Sequence, residues 1–122
     1  MEEILVIDDE PMIRSMMKMA LAEMGYTVTG AHFVEEALGT YENDTCRFSA
    51  MVTDFNLEDG TGLDIVNTVN DNEESITAIL ITGSAKISPR DSYRAGFSAF
   101  FHKPFGCAEI GHEIDELLGK AS

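Results

Sequence analysis

Glu3-Ile4-Leu5-Val6-Ile7-Asp8-Asp9-Glu10-Pro11 is the stretch that decides the fold. An uninterrupted aliphatic run from Ile4 to Ile7 stops abruptly at two aspartates. A run without polar alternation marks a strand covered on both faces. Pro11 suits the first turn of a helix, where its missing N–H would have had no intrahelical partner. Beyond it, Ile13, Met16, Met17, Ala20, Leu21 and Met24 recur at spacings of three and four, which lines one helical face, and Gly25 suits the helix end. Strand, acidic break and amphipathic helix are the opening of a βαβ unit.

The same alternation continues. Tyr26 to Thr29 reads as a second strand, and Val34, Ala37, Leu38 and Tyr41 give a second helix. Phe48 to Thr53 is a third strand, again stopped by an aspartate, Asp54. Asn56 to Gly62 (NLEDGTG) has loop chemistry, and Leu63 to Val69 is helical with Leu63, Val66 and Val69 inward. Ile76 to Ile81 is a fourth strand, closed by Thr82-Gly83-Ser84. A short helix runs from Pro89 to Gly96, Ser98 to Phe101 is a fifth strand, and Ile110, Ile114, Leu117 and Leu118 mark the last helix. Five strands alternating with five helices predict a doubly wound α/β fold: a five-stranded parallel sheet between two helical layers. Right-handed crossovers leave few strand orders, of which 2-1-3-4-5 is common, with its switch point between strands one and three. Such sheets carry their chemistry at the carboxyl ends of the strands.

The chain has 122 residues, which predicts a single domain over 1–122, and 44% hydrophobic residues supply its core. Eight Lys plus Arg against 22 Asp plus Glu give a formal net charge of −14. Such a body repels phosphate backbones and anionic lipid, so neither direct nucleic-acid binding nor membrane binding is expected. No apolar run approaches the ~20 residues of a membrane span. Met1-Glu2-Glu3 lacks the basic start of a signal peptide, so a soluble, cytoplasmic protein is expected. Cys46 and Cys107 stand far apart and read as reduced thiols; His32, His102 and His112 are scattered, so no zinc or haem site is expected.

Asp8 and Asp9 follow strand one, Asp54 follows strand three, Thr82 follows strand four and Lys103 follows strand five. In the order 2-1-3-4-5 the first and third strands are neighbours, so the three carboxylates converge. Two unit charges ~4 Å apart repel by ~4 kcal/mol at an effective dielectric near 20, so such a cluster needs a cation or raised pKa values. Oxygen ligands with room for water and phosphate oxygens suit Mg²⁺, with Mn²⁺ as a substitute. A lysine, a hydroxyl and a carboxylate nucleophile beside it are the equipment for phosphoryl transfer to an aspartate. Singly, each residue has an ordinary explanation: a helix cap for Asp8-Asp9, a turn for Asp54, strand propensity for Thr82, surface charge for Lys103. The joint placement at four strand ends favours the site.

Four stretches carry a family resemblance: VIDDEP (Val6 to Pro11), VTDFNLEDGTGLDIV (Val52 to Val66), LITGS (Leu80 to Ser84) and AGFSAFFHKPF (Ala95 to Phe105). On these the chain resembles the receiver domain of two-component response regulators, in a flavodoxin-like, chemotaxis-regulator-like form. The resemblance implies Asp54 as phosphoacceptor and Asp8, Asp9 and Asp54 as Mg²⁺ ligands together with the Asn56 backbone carbonyl. It implies Thr82 and Lys103 as contacts of the phosphoryl group, and Thr82 with Phe100 as a switch acting on the face of the fourth helix, fifth strand and fifth helix. Gly83 leaves the approach to the aspartate open, and Asn56 and Ser84 flank hydrolytic water and tune the phosphoryl lifetime. Glu58 stands where many relatives have proline, which predicts a freer loop with one more negative charge. Met16, Met17 and Met24 are expected in the core, Met12 and Met19 at an interface.

The implied partners are a sensor histidine kinase or phosphotransfer protein, then a downstream protein target or an output domain outside this sequence, with activation-linked homodimerisation as an option. A stand-alone receiver and one part of a longer regulator are both compatible with the sequence. Such a domain is a switch that catalyses only its own phosphoryl transfer and dephosphorylation. A Mg²⁺-dependent phosphohydrolase with an aspartate nucleophile is the alternative, but it needs a second acid two residues on, where this chain has Asn56. A flavodoxin-like redox carrier needs a phosphate-binding loop after strand one, where this chain has acids.

Overall fold

The computed structural model describes residues 2–44, 47–71, 76–83 and 86–120. Its main sheet has five parallel strands: β1 (Glu3–Ile7), β2 (Thr27–Ala31), β3 (Phe48–Asp54), β4 (Thr77–Thr82) and β5 (Ala99–His102), in the order β2-β1-β3-β4-β5. The helices are α1 (Pro11–Glu23), α2 (Val34–Asn43), α3 (Gly62–Asp71), α4 (Pro89–Ala95) and α5 (Cys107–Leu117). The expected topology is therefore present, with strand bounds displaced by a residue or two.

The two faces of the sheet divide the core as strand alternation requires. Leu5, Ile7, Met51 and Leu80 face Ala37 and Tyr41 of α2 and Ile65, Val66 and Val69 of α3. Ile4, Val6, Val52, Ile79 and Ile81 face Met17 and Leu21 of α1 and Ile110 and Ile114 of α5. Ile4 through Ile7 are wholly buried, which explains the unbroken apolar run in β1. At α4 the punctuation acts as its chemistry dictates. The Ser88 side chain accepts from the Asp91 amide, Pro89 takes the first turn, and Gly96 ends the helix at φ 113°, a region that disfavours other residues.

Two readings need correction. Met16 is 49% exposed rather than core, because the inward stripe of α1 runs through Met17 and Leu21, which leaves Met16 on the helix flank. Met12 and Met19 are exposed as expected. The segment NLEDGTG is not a free loop. Asn56–Leu57 pairs with Gly60–Thr61 in a small antiparallel hairpin, and Leu57 is buried. Asp59 at its tip accepts the backbone amides of Val34 at 2.6 Å and Glu35 at 2.9 Å. It thereby caps α2, whose own N-cap residue Phe33 provides no side-chain bond. Without a proline the segment is anchored by its side chains.

Candidate functional site

Parallel β1 and β3 end side by side, with Ile7 opposite Thr53, so Asp8 and Asp54 emerge as neighbours. Both are buried acids, Asp8 with no exposed surface. Lys103 follows β5, and its backbone amide donates to the Thr82 carbonyl at 2.8 Å, which ties it to the end of β4. From there its ammonium reaches back over the sheet edge. Nζ lies 3.2 Å from Asp8 Oδ2, 3.3 Å from Asp54 Oδ2 and 3.1 Å from Glu10 Oε1.

One cation thus faces three carboxylates and does not satisfy them all. It donates to Glu10 and Asp54, whereas Asp8 Oδ2 is buried with no hydrogen-bond partner among the described residues, close enough to Lys103 for an ion pair but not aligned for a bond. The other Asp8 oxygen accepts the Glu10 amide at 2.9 Å. Burial raises the pKa of Asp8, against the pull of the Glu10 amide and Lys103. Burial, and then the charge of Asp8, push Asp54 up to about 6, with Lys103 and the Phe55 amide opposing. For Lys103 burial disfavours the charged form, but the charges of Asp54 and Asp8 prevail and its pKa rises. A buried acceptor without a partner is costly. The cluster is therefore short of positive charge, which is the condition for binding a cation.

Asp8, Asp9 and Glu10 each present a carboxylate oxygen within 4.8 Å of the others, a spacing that could hold a metal ion. Asp54 is linked to this group through Lys103. Beside them a pocket of about 350 Å³ is lined by Asp9, Glu10, Asp54, Asn56, Gly83 and Lys103. Thr82 is buried at the end of β4. Among the described residues a methyl at Gly83 would meet only Lys103 carbons, at the ordinary contact distances of 3.8 and 3.9 Å. Gly62 is different. A methyl there would come within 2.8 Å of the Asp54 carbonyl oxygen, so only glycine lets α3 start against the end of β3.

A family model described as the response regulator receiver domain matches residues 4–115. The chain belongs to the response regulator receiver family. This receiver is 28% identical to the transcriptional regulatory protein TrcR of Mycobacterium tuberculosis over 98% of the chain but 46% of that protein. It is 26% identical to the two-component response regulator PhoP of Pseudomonas aeruginosa over 98% of the chain and 53% of that protein. The receiver thus spans about half the length of these curated relatives. Among solved structures it resembles a CheY-like receiver domain protein from Methanospirillum hungatei, with a TM-score of 0.88 and 28% identity over 98% of this chain and 94% of that one. It also resembles the beryllofluoride-activated NtrC4 receiver domain dimer, with a TM-score of 0.87 and 27% identity over 98% of each chain. Among the described residues no helix is long and apolar enough to cross a membrane.

Sequence reading placed Asp8, Asp9, Asp54, Asn56, Thr82, Gly83 and Lys103 at the strand ends, and the structure gathers them at one edge. Ser84 and Cys46 lie outside the described residues, and Cys107 is a free, half-buried thiol. Phe100 is half-buried, packs against the α2–α3 side of the core and meets His102 edge-on at 5.0 Å. Glu10 was missed as a partner of Lys103. The available signal was a third acid following Asp8-Asp9 directly.

Proposed function

We propose that this receiver accepts a phosphoryl group on Asp54 and that Mg²⁺ is held by the carboxylates of Asp8, Asp9 and Asp54 and the Asn56 carbonyl. The observation that carries this is the charge deficit at the buried pair: among the described residues one ammonium lies within 3.3 Å of three carboxylates, and an Asp8 oxygen is left without a hydrogen bond. A bound Mg²⁺ supplies positive charge to the oxygens of a transferring phosphoryl group. An Asp54 oxygen forms the new P–O bond as the P–N bond of a donor phosphohistidine breaks, and the proton balance is left to the departing imidazole. With a pKa of about 6, Asp54 remains mainly ionised at neutral pH and so competent as nucleophile. Lys103 turns its ammonium from the carboxylates to the arriving phosphoryl charge. The Thr82 hydroxyl contacts the phosphoryl oxygens, Gly83 keeps the approach open, and Asn56 with Ser84 sets access of hydrolytic water.

The output of this reading is a shape change rather than product release. Thr82 moves toward the phosphoryl group and Phe100 follows, altering the α4–β5–α5 face for a downstream target, an output domain or a second receiver. Residues 1–122 act as one receiver domain in a cytoplasmic protein. The phosphodonor is a sensor histidine kinase or phosphotransfer protein. An apolar groove of about 400 Å³ supports its docking, lined by Ile13, Met16, Pro104 and Phe105 and sharing Glu10 and Lys103 with the acid pocket. Phosphohydrolase chemistry is not favoured, because Asn56 cannot serve as the second acid. Incubation with Mg²⁺ and acetyl phosphate, followed by intact-mass measurement, tests the reading. One added phosphoryl group on wild type and none on Asp54→Asn is expected. An unmodified wild type, or equal modification of both, overturns it.

A further inference from the structure

Besides the Lys103 ion pair on Oδ2, the Asp8 backbone and Oδ1 make three hydrogen bonds, two of them to strand and turn. Its amide donates to the Ala31 carbonyl of β2 at 3.1 Å, and its Oδ1 accepts the Glu10 amide. The third is distant in kind: Arg14 Nη1, one turn into α1, donates to the Asp8 main-chain carbonyl at 2.6 Å. A carbonyl oxygen fixed in this way sets the plane of the Asp8–Asp9 peptide and hence where Asp9 departs. The guanidinium takes the carbonyl and not a carboxylate, so the acidic oxygens stay available to a metal ion.

The neighbouring strand is shaped to let Arg14 do this. Gly30 pairs with Val6 in the β2–β1 register, and a methyl at Gly30 would lie 3.3 Å from Arg14 Cδ and 3.8 Å from Nε. Gly30 does not have a positive φ, so backbone conformation does not call for glycine. A β-carbon there would crowd the arginine stem, which would have to give by a few tenths of an ångström. We propose that Arg14 is a positioning residue for the metal site, orienting Asp8 and Asp9 through the Asp8 carbonyl, and that Gly30 serves as its track. This rests on reading the acid cluster as a divalent-cation site.

Simple electrostatics and positioning predict opposite signs. Loss of the Arg14 charge makes the pocket more negative, which by itself tightens cation binding. Loss of orientation weakens it, by about tenfold for a group that aligns metal ligands. The test is Mn²⁺ titration of the full chain by electron paramagnetic resonance, with thermal melting in EDTA as the folding control. Arg14→Ala and Gly30→Val are each expected to bind Mn²⁺ about tenfold more weakly, and the double variant no more weakly than either. Arg14→Lys keeps the charge but not the planar fork, and also binds more weakly than wild type. Should Arg14→Ala fail to fold, Gly30→Val and Arg14→Lys decide. Unchanged or tighter binding in the folded variants overturns the proposal. Absence of Mn²⁺ binding by wild type overturns the metal reading beneath it.

Discussion

The two ends of the same sheet treat carboxylates in opposite ways. At the amino end, Glu3 Oε2 accepts from Thr29 Oγ1 at 2.6 Å and from Arg47 Nε at 2.8 Å, and Arg47 also lies over the Phe48 ring at 4.9 Å. Glu2 pairs with Lys120 at 2.7 Å. Hydrogen bonds from Arg47 and then Thr29 lower the pKa of Glu3, and a bond from Lys120 lowers that of Glu2. At the carboxyl end, Asp8 and Asp54 are more deeply buried, share one lysine, and have raised pKa values. One strand, β1, begins in a satisfied acid and runs straight into an unsatisfied one. Solvent-exposed pairs contribute only ~0–1 kcal/mol each, so the amino end is closed cheaply. The carboxyl end holds a standing destabilisation that a bound cation would relieve, and strain of that kind belongs at a functional site.

The largest change should come from removing the shared cation. Lys103→Met is expected to lose about 3 kcal/mol of stability at neutral pH in EDTA, because buried carboxylates then face each other alone. Mg²⁺ should restore much of the loss. A variant as stable as wild type in denaturant titration would break the contrast between the two ends.

Asp54→Asn should act in the reverse direction. A folded pKa of about 6 against ~3.9 in the unfolded chain means that the folded state holds the proton more tightly. The favourable contribution of this proton is complete below about pH 4 and disappears as pH rises through about 6. Above that the ionised Asp54 costs stability. Asp54→Asn in EDTA is therefore expected to be about 2 kcal/mol more stable than wild type at pH 7.5, and the gap should close on acidification toward pH 4. Urea titrations at both pH values measure it, and a destabilised Asp54→Asn at pH 7.5 would contradict the sign.

The smallest effect belongs to the amino end. Arg47→Ala is expected to lower stability, by the smallest change of the three, and to leave Mg²⁺ binding untouched, since Arg47 serves a partly exposed pair. Melting curves in raised salt should narrow even that difference.

What the sequence revealed and what it concealed follow from the same distinction. Apolar runs ending in acids disclosed β1, β3 and their neighbourhood, because burial on two faces leaves a local signature in the residues themselves. Lys103 beside the aspartates followed from the strand order, but its bond to Glu10 joins residues 93 apart and is made only through the sheet, so the one local hint was a third acid directly after Asp8-Asp9. Composition gives NLEDGTG as a loop and not as a hairpin, because its anchor, Asp59 on the α2 amides, is tertiary. Met16 fits the helical period of α1, yet period alone cannot separate the centre of an apolar stripe from its flank. Arg14 and Gly30 drew no notice for the same reason: their relation crosses from helix to edge strand.

Carboxyl ¹³C NMR titration, with and without Mg²⁺, tests the central claim most directly. The account predicts that Asp54 titrates near 6 in the metal-free protein, that Glu3 titrates below the ordinary glutamate range, and that Mg²⁺ shifts Asp54 sharply downward while leaving Glu3 unmoved. An Asp54 that titrates like an exposed carboxylate and ignores Mg²⁺ would contradict it.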